Sequence, residues 1–352
     1  MNERWLYLTY SPDSDEAKAL AGEAGISPLT AAVALNRGIT DAKHLQSYLA
    51  KSTADFHSPF LLHDMEQAVS AIRRALKQKK KITVYGDYDV DGITSVSILT
   101  AWLRENGADA DYYIPDRIDE GYGVNAGALR AIREKGSGMV ITVDTGITAC
   151  EEAKLAAELG LELIITDHHQ CKDEIPDCIV VNPCRHDCGY PFKSLAGVGV
   201  VFKLLSALED CNHQKILDRF GDIIALGTVA DVVPLTAENR IIVAFGLQKL
   251  VGAPCQGLAA LLQTAGYGDK PINVGGIGFG LAPRINAAGR IGDTGKAVKL
   301  LLSSSLSETV SISEYLDEEN KSLSLIHISR DFLKKSGKTV LTRQYDESRN
   351  LF

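Results

Sequence analysis

The sequence predicts an α/β protein: a mostly parallel sheet flanked by helices, with a helical N-terminal region before it and a helical segment after it. Three observations lead there. From residue 81 onward, short β-branched runs alternate with helix-length stretches, the pattern of repeated βαβ units. The runs ITVYG, MVITV and LIIT are apolar almost throughout, as strands covered on both faces must be. Before residue 81 and after residue 194, apolar residues instead recur at helical three- and four-residue spacing.

Taken in order, Asp15–Ala24, Ser27–Asn36, Asp41–Leu49 and Met65–Lys80 show that helical spacing, and Ser27-Pro28 and Thr40-Asp41 are helix starts. Strand 82–86, helix 92–106, strand 110–114, helix 125–135, strand 139–143, helix 149–159 and strand 162–166 follow, then a strand-like 178–181. The strand order is not readable from this pattern. Helices are expected over 194–209, 214–230, 239–251 and 256–265, and the glycine-rich run VGGIGFGLAPRINAAGR at 274–290 reads as a loop. The expected division is a helical region 1–80, a catalytic α/β domain 81–235, a helical and glycine-rich region with a connecting helix 236–320, and an atypical tail 321–352.

With 352 residues, 45% of them hydrophobic, the chain has enough apolar side chains for a sizeable core. No apolar run approaches the roughly eighteen residues of a membrane span and the N-terminus has no signal-peptide core, so a cytoplasmic protein without membrane partners is expected. Seven irregularly spaced cysteines fit reduced thiols better than a disulfide framework. A net charge of −8 argues against a general nucleic-acid-binding coat while leaving room for a local basic groove.

The chemistry gathers where strands end. YGDYDVDG puts Asp87, Asp89 and Asp91 on the turn between strand 82–86 and the next helix. VDTG puts Asp144 after strand 139–143, and DHH puts Asp167, His168 and His169 after strand 162–166. In a parallel sheet these carboxyl ends line one crevice, where ligands bind. Asp231 closes an apolar helix in LGTVADVVPL, where its charge opposes the helix dipole and calls for a cation. Loop chemistry and capping explain one or two such residues. A cluster of hard oxygen donors with imidazole beside it suits Mg²⁺ or Mn²⁺. It does not suit an EF-hand, because position twelve counted from Asp87 is Ile98.

These segments resemble the DHH phosphoesterase superfamily, and within it the RecJ family of single-strand-specific exonucleases. YGDYDVDG, YIPDRIDEGYG, VDTG, DHH, SLAGVGVVFKL, LGTVADVVPL and LAPRINAAGR occur in that family's order over most of the chain. The resemblance implies that Asp87, Asp89, Asp91, Asp144, His168 and Asp231 bind a pair of Mn²⁺ or Mg²⁺ ions, with Asp144 and His168 at the heart of catalysis. His169 would face the scissile phosphate. Arg284, Asn286, Gly289 and Arg290 would form a loop that binds DNA phosphates, the alternative being two surface arginines in a loop. The implied activity is 5′ to 3′ removal of nucleotides from single-stranded DNA in repair and recombination, with a single-strand-binding protein or a helicase as candidate partner. The alternatives are a sister phosphoesterase acting on short oligonucleotides or a small phosphorylated compound, and a non-catalytic replication scaffold, against which the intact ligand set argues.

Other motifs carry less. Cys184 and Cys188 offer soft ligands, but no second pair stands at zinc-finger distance. There is no P-loop, GGIGFG lacks dinucleotide-binding spacing, and LKQKKK at 76–81 reads as a solvated helix end. RecJ proteins continue past the connecting helix into a second domain and usually an OB-fold. Here the helix starting near Ser305 leads into an unfamiliar tail after Lys321, so both domains are expected to be absent and long strands to be held weakly.

Overall fold

The structure, a computed structural model, describes residues 9–116, 120–268, 270–291 and 293–335. Among them, β1 (Ile82–Gly86), β2 (Ala110–Tyr113), β3 (Met139–Val143), β4 (Glu162–Thr166) and β5 (Ile179–Val181) form one parallel sheet in the order β2-β1-β3-β4-β5. Every residue of β1 and β3 is buried because both faces are covered. The pleat then sorts the side chains. Val84, Ile141 and Ile164 lie in register toward the larger core, while Tyr85, Ile165 and Val180 face the smaller one. Each such Val or Ile contributes about 1.5–3 kcal/mol through burial.

α6 (Ala126–Glu134) and α7 (Cys150–Glu158) cover the smaller core with Leu129, Ile132, Ala153 and Ala156. On the other face lie α5 (Val90–Glu105) and α8 (Gly197–Leu208), with α9 (His213–Ala230) packed on both and α10 (Ala237–Leu250) crossing α9. α5 is enclosed all round, so its hydroxyls must bond internally: Thr94 donates to the Val90 carbonyl and Ser97 to that of Ile93. In α8, the fully buried Lys203 meets Glu238 at 2.5 Å and donates to the His57 carbonyl, while Tyr190 donates to the second Glu238 oxygen. This satisfied network ties the segment before α4 to α8 and α10.

α1 (Asp15–Ala24), α2 (Pro28–Leu35) and α3 (Ala42–Ala50) start where the sequence marks them: Ser14, Ser27 and Asp41 cap them by accepting from Ala17, Thr30 and His44 amides. They form a small core of their own. α4 (Met65–Lys77) instead shares the large core with the sheet, so the division expected at residue 80 runs through common packing. The region after residue 236 also joins that core, through Leu258, Ile285 and Leu316.

The glycine-rich run is not the expected loop. After α11 (Gln256–Thr264) it forms α12 (Val274–Gly276), a π-helical turn Ile277–Leu281 and α13 (Ala282–Ile291), followed by α14 (Thr294–Leu302) and α15 (Leu306–Lys335). Its glycines serve close packing rather than turning: a Cβ at Gly276 would lie 2.4 Å from Ile272, and one at Gly280 would lie 2.6 Å from the Tyr267 hydroxyl. Residues 336–352 of the tail lie outside the described residues. No helix among those described is long and apolar enough to cross a membrane.

Candidate metal centre

In a sheet ordered 2-1-3-4-5 the chain reverses its winding between β1 and β3, and the crevice beyond their carboxyl ends is the natural ligand site. Asp87 leaves β1 there and Asp144 leaves β3. Asp89 caps α5 by accepting from the Gly92 amide at 3.0 Å. Asp91, in the first turn of α5, reaches the same place. Its two oxygens accept from the Gly197 and Val198 amides at 2.6 and 2.8 Å, so the N-terminus of α8 holds this buried carboxylate. Glycine is needed at the start of α8 because Asp144 packs there as well: a Cβ at Gly197 would sit 2.5 Å from an Asp144 oxygen.

Potential ligand atoms of Asp87, Asp89 and Asp144 fall within 4.8 Å of one another, as do those of Asp91, His168 and Asp231. A third set, Asp144, His168 and His169, links these two: His168 Nε2 comes within 3.1 Å of Asp144 Oδ1, and His168 Nδ1 lies 3.7 Å from Asp231 Oδ2. Asp231 caps the end of α9, as its sequence position implies. Asp144 itself has φ +59°, a left-handed conformation uncommon outside glycine and typical of strained functional positions.

The residues fit a pair of divalent cations. Asp144 Oδ1, Asp231 Oδ2 and His168 Nε2 are buried, and although the first and last lie 3.1 Å apart none is aligned for a hydrogen bond, an arrangement that native proteins rarely leave unexplained. Burial, reinforced by neighbouring aspartates, pushes Asp91 and Asp144 well above the usual carboxylate range and Asp231 up to about 7. Burial, then the charge of His169, holds His168 down, which keeps the imidazole neutral and able to ligate.

His169 is set up differently. Its Nδ1 lies 2.7 Å from Asp167, and that hydrogen bond raises the imidazole to about 8. Burial opposes ionisation of Asp167, yet the bonds it accepts from His169 and the Ile147 amide hold its carboxyl low. Asp167 therefore orients His169 rather than joining either ligand set. His169 Nε2 stands 3.5 Å from the hydroxyl of Tyr122, an exposed residue of the EGYG segment. Neither role was legible from residue type alone. Arg117, Ile118 and Asp119 of the same motif lie outside the described residues.

The structure gathers Asp87, Asp89, Asp91, Asp144, His168, His169 and Asp231. It treats the glycine-rich residues less uniformly. Gly289 backs the metal loop, since a Cβ there would lie 2.6 Å from the Tyr88 carbonyl. Arg290 is exposed and Asn286 half-buried. Arg284, expected on a phosphate, is largely buried, pairs with Asp317 at 2.9 Å and donates to the Gly280 carbonyl. Cys184 donates its thiol to the His168 and Lys193 carbonyls, and no metal-ligand group among the described residues includes it.

Comparison with known proteins gives the chain's family. Residues 81–228 match the DHH family, N-terminal domain. A crystal structure of exonuclease RecJ bound to manganese is similar at 35% identity with a TM-score of 0.70, covering 78% of this chain and 70% of that one. This chain belongs to the RecJ family. RecJ of Thermus thermophilus in complex with Mn²⁺ is similar at 31% identity, with a TM-score of 0.75 over 94% of this chain and 46% of that one. The single-stranded-DNA-specific exonuclease RecJ of Bacillus subtilis is 44% identical over 311 residues, 88% of this chain and 39% of its own length. That of Escherichia coli is 35% identical over 321 residues, 87% of this chain and 55% of its own length. The chain thus spans about half the length of the curated relatives it matches.

Proposed function

We propose that this chain is a divalent-metal-dependent phosphodiesterase that shortens single-stranded DNA from its 5′ end. The observation that supports it best is the pair of ligand sets that meet at Asp144 and His168, each with a buried donor atom lacking a hydrogen bond. Asp87, Asp89 and Asp144 would hold one ion; Asp91, His168 and Asp231 would hold the other. When bound, two Mn²⁺ or Mg²⁺ ions supply Lewis acidity at the phosphoryl oxygens and lower the pKa of a water. The remaining work falls to the chain. The α8 amides fix Asp91, burial keeps His168 neutral, and Asp167 turns His169 so that its Nε2 is left for the substrate. There His169 donates a hydrogen bond or proton toward the leaving oxygen.

Single-stranded DNA as substrate and the 5′ direction come from the resemblance to RecJ proteins that are named for the former. An enzyme limited to unpaired strands needs a supply of them, so a helicase or a single-strand-binding protein is the partner class this function calls for. The test is incubation with Mn²⁺ and with single-stranded, duplex and dinucleotide substrates labelled at either end. Loss of single strands from the 5′ end, abolished by EDTA, is expected. Absence of cleavage in Mn²⁺ and Mg²⁺ would overturn the proposal, and cleavage of dinucleotides alone would transfer it to a short-oligonucleotide phosphoesterase.

A further inference from the structure

Two apolar side chains stand almost wholly in solvent on elements that meet at the Asp231 end of α9, and the chemistry described so far uses neither. Phe279 is 89% exposed and Val232 86%, more than any other large hydrophobic residue among those described. Val232 directly follows Asp231 and has φ +61°, a conformation that β-branched residues rarely adopt. Phe279 sits on the π-helical turn Ile277–Leu281, a distortion that recurs at functional sites. The two belong to one neighbourhood: the π turn packs on α9, and a Cβ at Gly278 would lie 4.0 Å from Val229, in the last turn before Asp231.

We propose that Phe279, with Val232 beside it, is the surface on which a nucleobase of the bound single strand stacks next to the phosphate being cleaved. This rests on the function proposed above. The occupant follows from the site's own charges. A cluster of aspartates repels a phosphate backbone except at bound cations, so near the ligands the strand gains much of its affinity from uncharged parts. An exposed aromatic ring on the turn packed against the helix that ends at Asp231 offers this to any base, because every base has a π-face. In a duplex those faces are covered by neighbouring pairs. The surface therefore favours unpaired strands as well as binding them, and it reads no sequence.

The test uses the full chain in Mn²⁺ with 5′-phosphorylated oligothymidylate, intact or carrying one abasic site moved through the first positions. For the unaltered protein, one abasic position is expected to lower kcat/KM about tenfold or more. Phe279→Ala should lower kcat/KM on the intact strand by a similar factor and lose the difference between intact and abasic strands. Phe279→Trp should restore both. Leu306→Ala, which removes another exposed apolar side chain on α15, should behave as the unaltered protein does. Because Phe279 is exposed, its removal should leave the melting temperature unchanged, which checks the fold. If Phe279→Ala keeps the abasic penalty or cleaves the intact strand as well as the unaltered protein does, the inference is overturned and the exonuclease reading stands. If the unaltered protein cleaves no single strand, both fall.

Discussion

Asp144→Asn should be more stable than the unaltered protein without metal and less stable than it with metal bound. Asp144 shares a 4.8 Å neighbourhood with Asp87 and Asp89. Two unit charges at that distance repel by about 3 kcal/mol at an effective dielectric of 20. Protonation already relieves part of this, because burial and the neighbouring carboxylates raise Asp144 itself. Removing the charge should therefore stabilise the metal-free protein by about 1–3 kcal/mol. Asparagine is the appropriate replacement because it tolerates the left-handed backbone at this position, whereas alanine would add strain. With Mn²⁺ at a hundredfold excess over its Kd, the unaltered protein gains about 2.7 kcal/mol. The variant should forgo most of that gain, together with orders of magnitude in hydrolysis. Urea unfolding followed by circular dichroism, in EDTA and then in Mn²⁺, reads both states. A variant less stable in EDTA, or an unaltered protein indifferent to Mn²⁺, would refute the reasoning.

His169→Ala should keep the Mn²⁺-induced rise in melting temperature and lose about 10²–10⁴-fold in kcat, because it removes a proton donor and not an assigned ligand; loss of the thermal response would make it a ligand. Arg284→Ala should destabilise the protein by about 1–3 kcal/mol by leaving Asp317 with Lys321 alone. Arg290→Ala should spare stability and lower the salt slope of single-strand binding by about one, and salt titrations that show the opposite assignment would exchange their roles. His213 packs 5.1 Å from Phe56, and burial, then the charge of Lys203, pushes it down to about 4. The unfolded chain takes up this proton near pH 6.5, so the contribution is whole above that pH, is lost as pH falls to about 4, and is constant below. His213→Phe should flatten the stability profile within that window, and parallel profiles for the two proteins would refute the assignment.

The gathering of Asp87, Asp144 and His168 was legible because they come at or just beyond the ends of unmistakable elements, the short apolar runs β1, β3 and β4. Strand order was not, since strands buried on both faces read alike whoever their neighbours are. The glycine-rich run misled for a related reason. Glycine marks a turn when the backbone needs positive φ, yet Gly276, Gly280 and Gly289 are spaced for neighbours that the sequence cannot show: Ile272, Tyr267 and Tyr88. Arg284 was misread in the same way, because its partner Asp317 lies on another helix. Asp167 and Tyr122 could be placed near the site by motif, but their bearing on His169 is a matter of distance and direction.

The anchoring of Asp91 by α8 also orders events in time. Asp87, Asp89 and Asp144 are all present once β3 has been synthesised, whereas Asp91 waits for Gly197 and Val198, and its ligand set waits for Asp231. At about 5–20 residues per second, the ribosome separates the two halves by several seconds. During that interval the nascent chain holds a crowd of like charges with half of its candidate donors still unmade. Helices α8 and α9 are thus the last part of the site to be built, and of the two only α8 offsets an aspartate, Asp91, since α9 ends in a further carboxylate at Asp231.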